Sequence, residues 1–338
     1  MDVTSTRSAS TRPPARTPDS LDSGGRLGRT GVGLLNGFAA YGLWGLLPLY
    51  FALLGSAGPV EIVANRVAWS VLFCAVLLTV MRGGSALARA LTDRRVVGTL
   101  ALAAVLIAVN WLAFAYAITT HQAIEGSLGY FINPLVSVVV GVLVLHESLR
   151  RTQWVAVGIG AVAVVVLAIA YGKLPWIALV LAFSFGFYGL VKNRIGGRVD
   201  ALTSLTVETV VLLPVGLAVM LWLALTGQAT LTAYGPGHFW LMVASGVITA
   251  LPLLFFGGAA RRLPLSTVGL IQYLAPVLQF IFAISVLKEH MPTERWVGFG
   301  LVWVALLVLI VDALRQIRRR PRSGTTTTGS ANTEPLAS

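Results

Sequence analysis

Apolar runs of about 17–25 residues recur along almost the whole chain and are separated by short polar segments. A helix of this length crosses the hydrocarbon core of a bilayer, which is about 30 Å thick. Lipid offers backbone groups no hydrogen-bond partners, so we predict helices for these runs and not open strands. The ten predicted spans are 31–54, 60–81, 97–119, 123–145, 154–171, 175–191, 201–225, 238–260, 265–287 and 296–314.

The two halves of the chain repeat one pattern at an offset of 142 residues. Both copies follow P-x12-E-x6-W-x3-G, with these identities: Pro134 and Pro276, Glu147 and Glu289, Trp154 and Trp296, Gly158 and Gly300. Five crossings per half is an odd number, so the second copy must lie upside down relative to the first. We therefore predict an all-α integral membrane protein with two inverted-topology five-helix repeats, at 31–171 and 172–315. Many transporters are built this way and bind substrate where the repeats meet.

The composition excludes a soluble fold of ordinary type. Charged residues are 11% of the chain, against about 25% in soluble domains. Apolar residues are 56%, and the mean hydropathy is +0.82. The single cysteine, Cys74, lies in an apolar run and excludes an internal disulfide framework. The ends, 1–30 and 316–338, are rich in Ser, Thr, Pro and Arg and are predicted to be disordered cytoplasmic tails.

The net charge of +12 is a topology signal. With the N-terminus in the cytoplasm, the predicted inner segments hold 21 of the 25 Lys and Arg residues. The outer loops hold only Lys173, Lys288 and Arg295, and Arg66 remains inside the second span. This asymmetry places both termini in the cytoplasm. The positive inner face suits anionic membrane lipid, and nothing in the pattern indicates nucleic acid.

Arg66 and Glu208 are the only strongly ionisable residues well inside predicted spans. A charge at the bilayer centre costs at least about 2.5–3.5 kcal/mol, so each needs a partner, a water-filled cavity or a route to the interface. One interpretation is that Arg66 contacts substrate and Glu208 couples or gates transport. The alternative is that each caps or packs a neighbouring helix. Inverted symmetry puts them toward opposite faces and disfavours a direct ion pair between them.

Several other polar and aromatic residues lie within spans. Amides in hydrocarbon are costly unless paired, so these residues should face the bundle interior. As a set they could line a cavity, although helix-to-helix hydrogen bonding explains any one of them equally well. The candidates for substrate binding besides Arg66 are Tyr41, Trp44, Asn110, Trp111, Tyr130, Asn133, Tyr188, Gln272 and Tyr273.

Two prolines and one acid complete the candidates. Pro134 and Pro276 lie inside predicted helices, where each removes a backbone hydrogen bond and can act as a hinge. Glu125 begins the fourth span near the predicted outer mouth. A helix N-terminus favours an acid there, so capping is the simpler interpretation and gating is the alternative. Glu147 and Glu289 lie at loop level, where a structural role is favoured over chemistry.

No signature of catalysis or cofactor binding accompanies these residues. The four histidines lie in loops or at span ends, and His146-Glu147 is not followed by the second histidine of a zinc motif. No Walker A sequence is present. We expect no metal, no cofactor and no enzymatic activity. A membrane-embedded enzyme acting on a lipid or isoprenoid, and a channel, stay as alternatives.

The span from about Gly33 to Leu314 resembles the EamA branch of the drug/metabolite transporter superfamily. Each EamA repeat ends in a proline-containing helix, a Gly-Glu, a Gln and spaced glycines. The ends here are Pro134…His146-Glu147…Gln153-Trp154…Gly158 and Pro276…Lys288-Glu289…Arg295-Trp296…Gly300, so both glycines before Glu and the second Gln are replaced.

Other stretches resemble the RarD group of that family. They are AYGLWGLLPLY at 40–50, EIVANRVAWS at 61–70, NW at 110–111, EGSLGYFINPLV at 125–136 and RRLPLSTVGLIQYLAPVLQF at 261–280. The resemblance implies a permease of the cytoplasmic membrane with a central cavity lined by both repeats. We expect a secondary transporter that exports a small organic solute by alternating access, with proton coupling through Glu208 as one option. A homodimer and a monomer both stay open.

Overall fold

The computed structural model describes residues 28–145, 151–195, 198–260, 262–263, 267–268 and 271–319. These ranges contain helices and turns but no strand. Most of both predicted tails, and Glu147 of the repeat pattern, lie outside the described residues. The helices are α1 (Arg29–Gly45), α2 (Leu47–Leu53), α3 (Pro59–Val80), α4 (Gly84–Thr92), α5 (Arg94–Thr119), α6 (Ala123–Leu145), α7 (Arg151–Tyr171), α8 (Trp176–Ile195), α9 (Ala201–Leu225), α10 (Gly235–Ala260), α11 (Leu274–Ser285) and α12 (Thr293–Arg319).

Eight apolar segments in the described ranges are long enough to cross a membrane. They agree with eight of the ten predicted spans. The other two predicted spans, at 175–191 and 265–287, coincide with the shorter apolar helices Trp176–Lys192 and Leu274–Ser285. The all-helical membrane class is therefore confirmed, while the count of ten crossings stays a prediction.

Three boundaries differ from the predicted ones. The first predicted span is divided at Leu46 into α1 and α2. Helix α4 falls in a segment predicted as a loop. It is too short, and too polar on one side, to be recognised as a membrane span. On its apolar side, Ala90 and Leu87 pack against neighbouring apolar residues. Helix α12 continues to Arg319 and takes in the first residues of the predicted C-terminal tail.

Pro48 explains the division between α1 and α2. Pro48 has no N–H to donate to the Trp44 carbonyl four residues earlier, so the helical ladder stops there. The Trp44 carbonyl instead accepts a hydrogen bond from Nε2 of Gln279, at 3.1 Å. A side chain of α11 thus replaces the missing backbone donor and ties α11 to the first helix.

Aspartates start two of the long helices on the predicted cytoplasmic side. Asp93 accepts from the backbone N–H groups of Arg95 and Val96 at the start of α5. Asp200 does the same for Leu202 and Thr203 at the start of α9, and also accepts from the Thr203 hydroxyl. Burial opposes ionisation of Asp200, but these hydrogen bonds hold its pKa below the usual value. Each cap satisfies donors that a helix start leaves unpaired.

The helices pack as a bundle whose outer surface is apolar. Helix α3 contacts α9 and α10, α8 contacts α5 and α6, α1 contacts α10, and α7 contacts α12. Large apolar side chains such as Val80, Ile169 and Leu225 point outward and are more than 70% exposed. A surface of this kind requires lipid around it. Two grooves of about 420 and 450 Å³ lie on α7 with the loop after it and on α9, and contain none of the predicted site residues.

Glycines allow the closest helix contacts. A Cβ on Gly246 of α10 would overlap the backbone of Trp69 in α3 and lie 3.0 Å from the Ser70 nitrogen. A Cβ on Gly33 would lie 2.9 Å from Cβ of Arg262. In contrast, Gly158 and Gly300 of the repeat pattern have open space around them.

We expect opposite effects from two glycine-to-alanine changes. Gly246→Ala should lower the melting temperature, because a methyl group against the backbone forces α3 and α10 apart at a cost of about 1–3 kcal/mol. Gly300→Ala should leave it unchanged or raise it, because alanine is favoured over glycine within a helix by about 0.5–1 kcal/mol. Thermal unfolding of both purified variants tests this. Equal effects would show that α3 and α10 are not in backbone contact.

Candidate functional site

Arg66 lies at the centre of a cluster of polar and aromatic side chains. It is 4% exposed, on α3, and its Nε donates to Oγ1 of Thr249 on α10 at 2.7 Å. The Thr249 hydroxyl donates in turn to the Ser245 carbonyl. The lone pairs of the Thr249 oxygen are therefore free to accept from Arg66. The guanidinium carbon lies 4.2 Å from the ring centroid of Trp111 and 5.9 Å from that of Phe51. Cation–π contact of this kind offsets part of the cost of burying the charge.

Asn110 joins three helices beside this cation. Its Nδ2 donates to the Leu181 carbonyl and to Oγ of Ser184 on α8, each at 3.1 Å. Its Oδ1 accepts from the hydroxyl of Tyr130 on α6 at 2.9 Å. The amide is therefore fully engaged, as expected for a polar group that is 1% exposed.

We call the group assembled around Arg66 and Asn110 the central cluster. Tyr50, whose hydroxyl donates to the Leu241 carbonyl at 2.7 Å, belongs to it because its phenol lies within electrostatic range of Arg66, as does that of Tyr130. Its members come from α2, α3, α5, α6, α8 and α10: Tyr50, Phe51, Arg66, Asn110, Trp111, Tyr130, Ser184, Ser245 and Thr249.

A second aromatic group holds other predicted residues. The ring centroids of Tyr41 and Trp44 are 5.2 Å apart, and both lie near Phe256, at 6.2 and 6.1 Å. Tyr273 packs against the main apolar core of the bundle. Asn133 has a buried Oδ1 without a hydrogen-bond partner among the described residues. The sequence predicted Tyr41, Trp44, Asn133 and Tyr273 in one cavity lining with Arg66. No hydrogen bond or ring contact within the described residues joins them to Arg66, so that grouping stays a prediction.

Pro276 interrupts the helix at two predicted site residues. Proline cannot donate to the carbonyl of Gln272, four residues before it, and this carbonyl accepts from the Ala275 nitrogen at 3.3 Å instead. Gln272 and Tyr273 form a turn, and α11 begins at Leu274. Pro276 was predicted inside a helix; in the structure it lies in the first turn of α11. Pro134 lies inside α6, as predicted.

Glu208 lies in a separate, charge-balanced cluster. Its Oε1 accepts from Nζ of Lys192 at 2.7 Å and from Oγ of Ser204 at 2.8 Å, and its Oε2 accepts from the Tyr188 hydroxyl at 3.1 Å. Lys192 and Ser204 are also in close contact. Glu208 is 1% exposed and Lys192 28% exposed. Arg66 and Glu208 thus have different partners, in agreement with the prediction that they do not pair.

Helix α8 connects the two clusters. It carries Ser184, which binds Asn110, and one turn later Tyr188, which binds Glu208. Phe185 lies between them, with its ring centroid 6.0 Å from that of Tyr130 and 5.9 Å from that of Tyr188. Movement of α8 would therefore disturb both clusters together.

Three carboxylates, two buried and one half-buried, hold helix starts and loops on the predicted outer side. Glu289 accepts from the Ala123 and Ile124 nitrogens at the start of α6, at 2.6 and 2.8 Å. Glu125 accepts from the Ile177 nitrogen at the start of α8, at 2.9 Å. Glu61 accepts from the Thr230 and Leu231 nitrogens in the loop after α9. Glu125 was expected to cap its own helix; Glu289 occupies that position, so Glu125 is left to reach α8.

The position of Glu289 has an electrostatic cost. Burial raises the pKa of its carboxyl, while the two backbone hydrogen bonds, His121 and Arg295 act in the opposite direction. The contacts agree with the structural role predicted for Glu289. The corresponding contacts of Glu147 lie outside the described residues.

Glu289→Gln should destabilise the protein, because an uncharged amide is a weaker acceptor for the two backbone N–H groups of α6. Loss of a helix cap costs about 0.5–2 kcal/mol. Glu294→Gln removes an equal charge from an exposed position in the first turn of α12 and is the matched control. The melting temperatures of both variants decide the point; a Glu289→Gln variant as stable as the control would contradict the capping role.

The described residues also include polar groups that sequence reasoning did not select. Thr249, Ser245 and Ser204 each bond within their own helix and so look neutral in an apolar sequence. Lys192 was assigned to a cytoplasmic loop because it lies at a span end. Tyr50 was not selected because Tyr41 and Trp44 lie nearer the middle of the same predicted span. The one sequence signal for these residues was the pair of hydroxyls four residues apart in α10, Ser245 and Thr249. No group of three His, Cys, Asp or Glu residues suited to a metal occurs among the described residues.

Several known proteins are similar to this chain, and some of them are named as transporters. The model of the EamA-like transporter family matches residues 31–169 and again 174–311. A "Protein RarD" of Streptomyces exfoliatus is 52% identical over 288 residues, which cover 85% of this chain and 91% of the relative. An uncharacterised transporter of Pseudomonas aeruginosa is 43% identical over 296 residues, or 86% of this chain and 97% of that one. A crystallised protein at 18% identity has the same fold, with a TM-score of 0.54 and coverage of 84% of this chain and 98% of that one.

Proposed function

The chain belongs to the EamA-like transporter family and is a RarD-like, multi-pass membrane transporter, and from this we propose that it exports a small organic solute across the cytoplasmic membrane by alternating access. The observation that carries the proposal is the central cluster. Six helices bring a buried cation, an amide, hydroxyls and aromatic rings together within an apolar bundle. A few placed polar groups among aromatic walls are what a small-molecule site needs.

The proposed architecture is two inverted five-helix repeats, with the site between them. Helix starts repeat at the offset of 142 residues: α3 begins at Pro59 and α9 at Ala201, and α7 begins at Arg151 and α12 at Thr293. The contact of α1 with α10 has its counterpart in that of α8 with α5. The tandem family matches add further support. The proposal places both termini in the cytoplasm, from the distribution of Lys and Arg.

In this proposal the two repeats rock about the central cluster, and α8 transmits the movement to Glu208. Protonation of Glu208 would remove its charge and release Lys192, which gives one physical means of coupling transport to protons. Pro134 and Pro276 are the proposed hinges, because each leaves a carbonyl without its helical donor. Membrane lipid surrounds the bundle, and a homodimer is compatible with it.

The experiment that tests the function uses the purified full chain in liposomes. A library of metabolites is screened for flux, and mass spectrometry follows both the amount and the chemical identity of each solute. A transporter gives saturable flux that a competitor inhibits and leaves the solute unchanged. Flux proportional to concentration without saturation would indicate a channel, and chemical conversion would indicate an enzyme; either would overturn the proposal.

Glu208→Gln is expected to abolish proton-linked transport and to spare exchange of solute across the membrane. Glutamine keeps the shape and an acceptor for Tyr188 and Ser204 but cannot carry a proton. The measurement compares flux driven by a pH gradient with counterflow at equal pH. Full response to the pH gradient in this variant would exclude Glu208 as the coupling residue.

A further inference from the structure

The charge of Arg66 has no counter-charge in the central cluster. No carboxylate in the described part of the chain forms an ion pair with it, and its electrostatic neighbours are the phenols of Tyr50 and Tyr130. The half-buried cation Lys192, in contrast, is paired with Glu208. An isolated buried charge is costly, and a ring face compensates only part of that cost. The cluster is therefore short of one negative charge.

The guanidinium also has unused donors. Arginine carries five N–H groups, and within the described residues only Nε–H of Arg66 makes a hydrogen bond. Nη1 and Nη2 have no hydrogen bond to that part of the chain. Among the described residues, Oγ1 of Thr249 is the one acceptor bonded to the guanidinium. A planar pair of free N–H groups fits the two oxygens of a carboxylate.

From these two deficits we infer that Arg66 binds the carboxylate of the transported solute, so that the substrate is an organic monoanion. The inference rests on the proposed transport function and specifies its substrate class. One cation balances one negative charge, which favours a carboxylate over a phosphate monoester carrying about 1.5–2 charges. The rings of Trp111 and Phe51 beside the guanidinium provide apolar contact for the body of such a solute.

A monoanionic substrate gives export a driving force. The cytoplasmic side of a bacterial membrane is electrically negative, and moving one negative charge outward is favoured about 50-fold in concentration for each 100 mV. The solute supplies the counter-charge that Arg66 lacks. When the solute leaves on the outer side, the cation of Arg66 is again unpaired. The membrane potential therefore drives export of a carboxylate in addition to the proton coupling proposed for Glu208.

The test measures thermal stabilisation of the purified full chain by defined probes. The carboxylates are benzoate, indole-3-acetate and hexanoate at millimolar concentration, each compared with its amide; benzylamine and phenyl phosphate complete the set. We expect the carboxylates to raise the melting temperature and the amides and benzylamine to leave it unchanged. Stabilisation by the neutral or cationic probes alone, by phenyl phosphate alone, or by none of the set would overturn the inference.

Variants assign the effect to Arg66. Stabilisation by carboxylates should disappear in Arg66→Gln, weaken in Arg66→Lys, which lacks the planar pair of donors, and persist in Arg89→Gln, which removes an exposed positive charge from α4. Without probe, Arg66→Gln should melt no lower than the wild type, because an uncompensated buried charge has been removed. A large drop in melting temperature with carboxylate binding retained would show that Arg66 is structural.

Flux separates this inference from the function on which it rests. If Arg66→Gln and the wild type transport a neutral solute at the same saturable rate, the anion site is overturned and the transport function is retained. Carboxylate binding without flux of any solute would retain the site and overturn the transport function.

Discussion

Replacement of Arg66 with alanine is expected to abolish transport while the protein is produced and inserted at the wild-type level. The side chain is buried, holds Thr249 across the α3–α10 contact and lies against Trp111. Loss of one partner of a buried, charge-assisted hydrogen-bond pair costs about 2–5 kcal/mol, which corresponds to a decrease in transport of about 30-fold to several thousand-fold. Flux into liposomes at matched protein content measures this effect.

The controls for Arg66 separate loss of function from loss of structure. Arg66→Lys keeps the charge and should retain a small fraction of the activity, because one ammonium group cannot replace the planar fork. Arg89→Gln should transport at the wild-type rate, since Arg89 is exposed on α4. Unchanged flux through Arg66→Ala would remove Arg66 from the substrate site and leave it as a packing residue between helices.

Lys192→Met is expected to destabilise the protein more than any other single change considered above. It leaves the carboxylate of Glu208, which is 1% exposed, without its cation. Removing one partner of a buried ion pair costs about 3–5 kcal/mol, and the lower end applies because the Lys192 side chain is 28% exposed and partly solvated. The loss is measured as a decrease in melting temperature of the purified protein.

A double-mutant cycle tests the cause. Glu208→Gln should destabilise less than Lys192→Met, because the ammonium it leaves behind can reach solvent while the carboxylate cannot. The combined variant Lys192→Met with Glu208→Gln should recover much of the stability, because neither charge is left unpaired. Additive losses in the combined variant would show that the two residues do not interact.

Hydrophobic length and periodicity predicted the helical membrane class because lipid admits few alternatives. The starts of α3 and α7 and the end of α5 fall within a few residues of the predicted ones. The division at Leu46 was missed because the effect of Pro48 depends on Gln279, which is far away in sequence and supplies the missing donor. Helix α4 was missed because a short amphipathic helix carries too few apolar residues to register in a search for spans.

The candidate site was predictable where a residue is chemically out of place in lipid. Arg66, Asn110 and Glu208 could be selected from sequence alone because a buried charge or amide is costly in an apolar span. Their partners could not be selected. The Thr249 hydroxyl bonds to a carbonyl of its own helix, so nothing in the sequence marks it as a partner of Arg66. Lys192 lies at the end of a predicted span, where lysine is common. Which acid caps which helix also depends on the packing of separate helices, and so Glu125 was assigned to the wrong one.

Accessibility of the central cluster from each side of the membrane tests the alternating-access account most directly. The only native cysteine, Cys74, is replaced with serine, and Ser245→Cys then places a single thiol one turn from Thr249. We predict that a membrane-impermeant thiol reagent labels it from outside in cells and from inside in inverted vesicles, and that transported solute slows labelling from both sides. Labelling from neither side, or from one side only under every condition, would contradict the account.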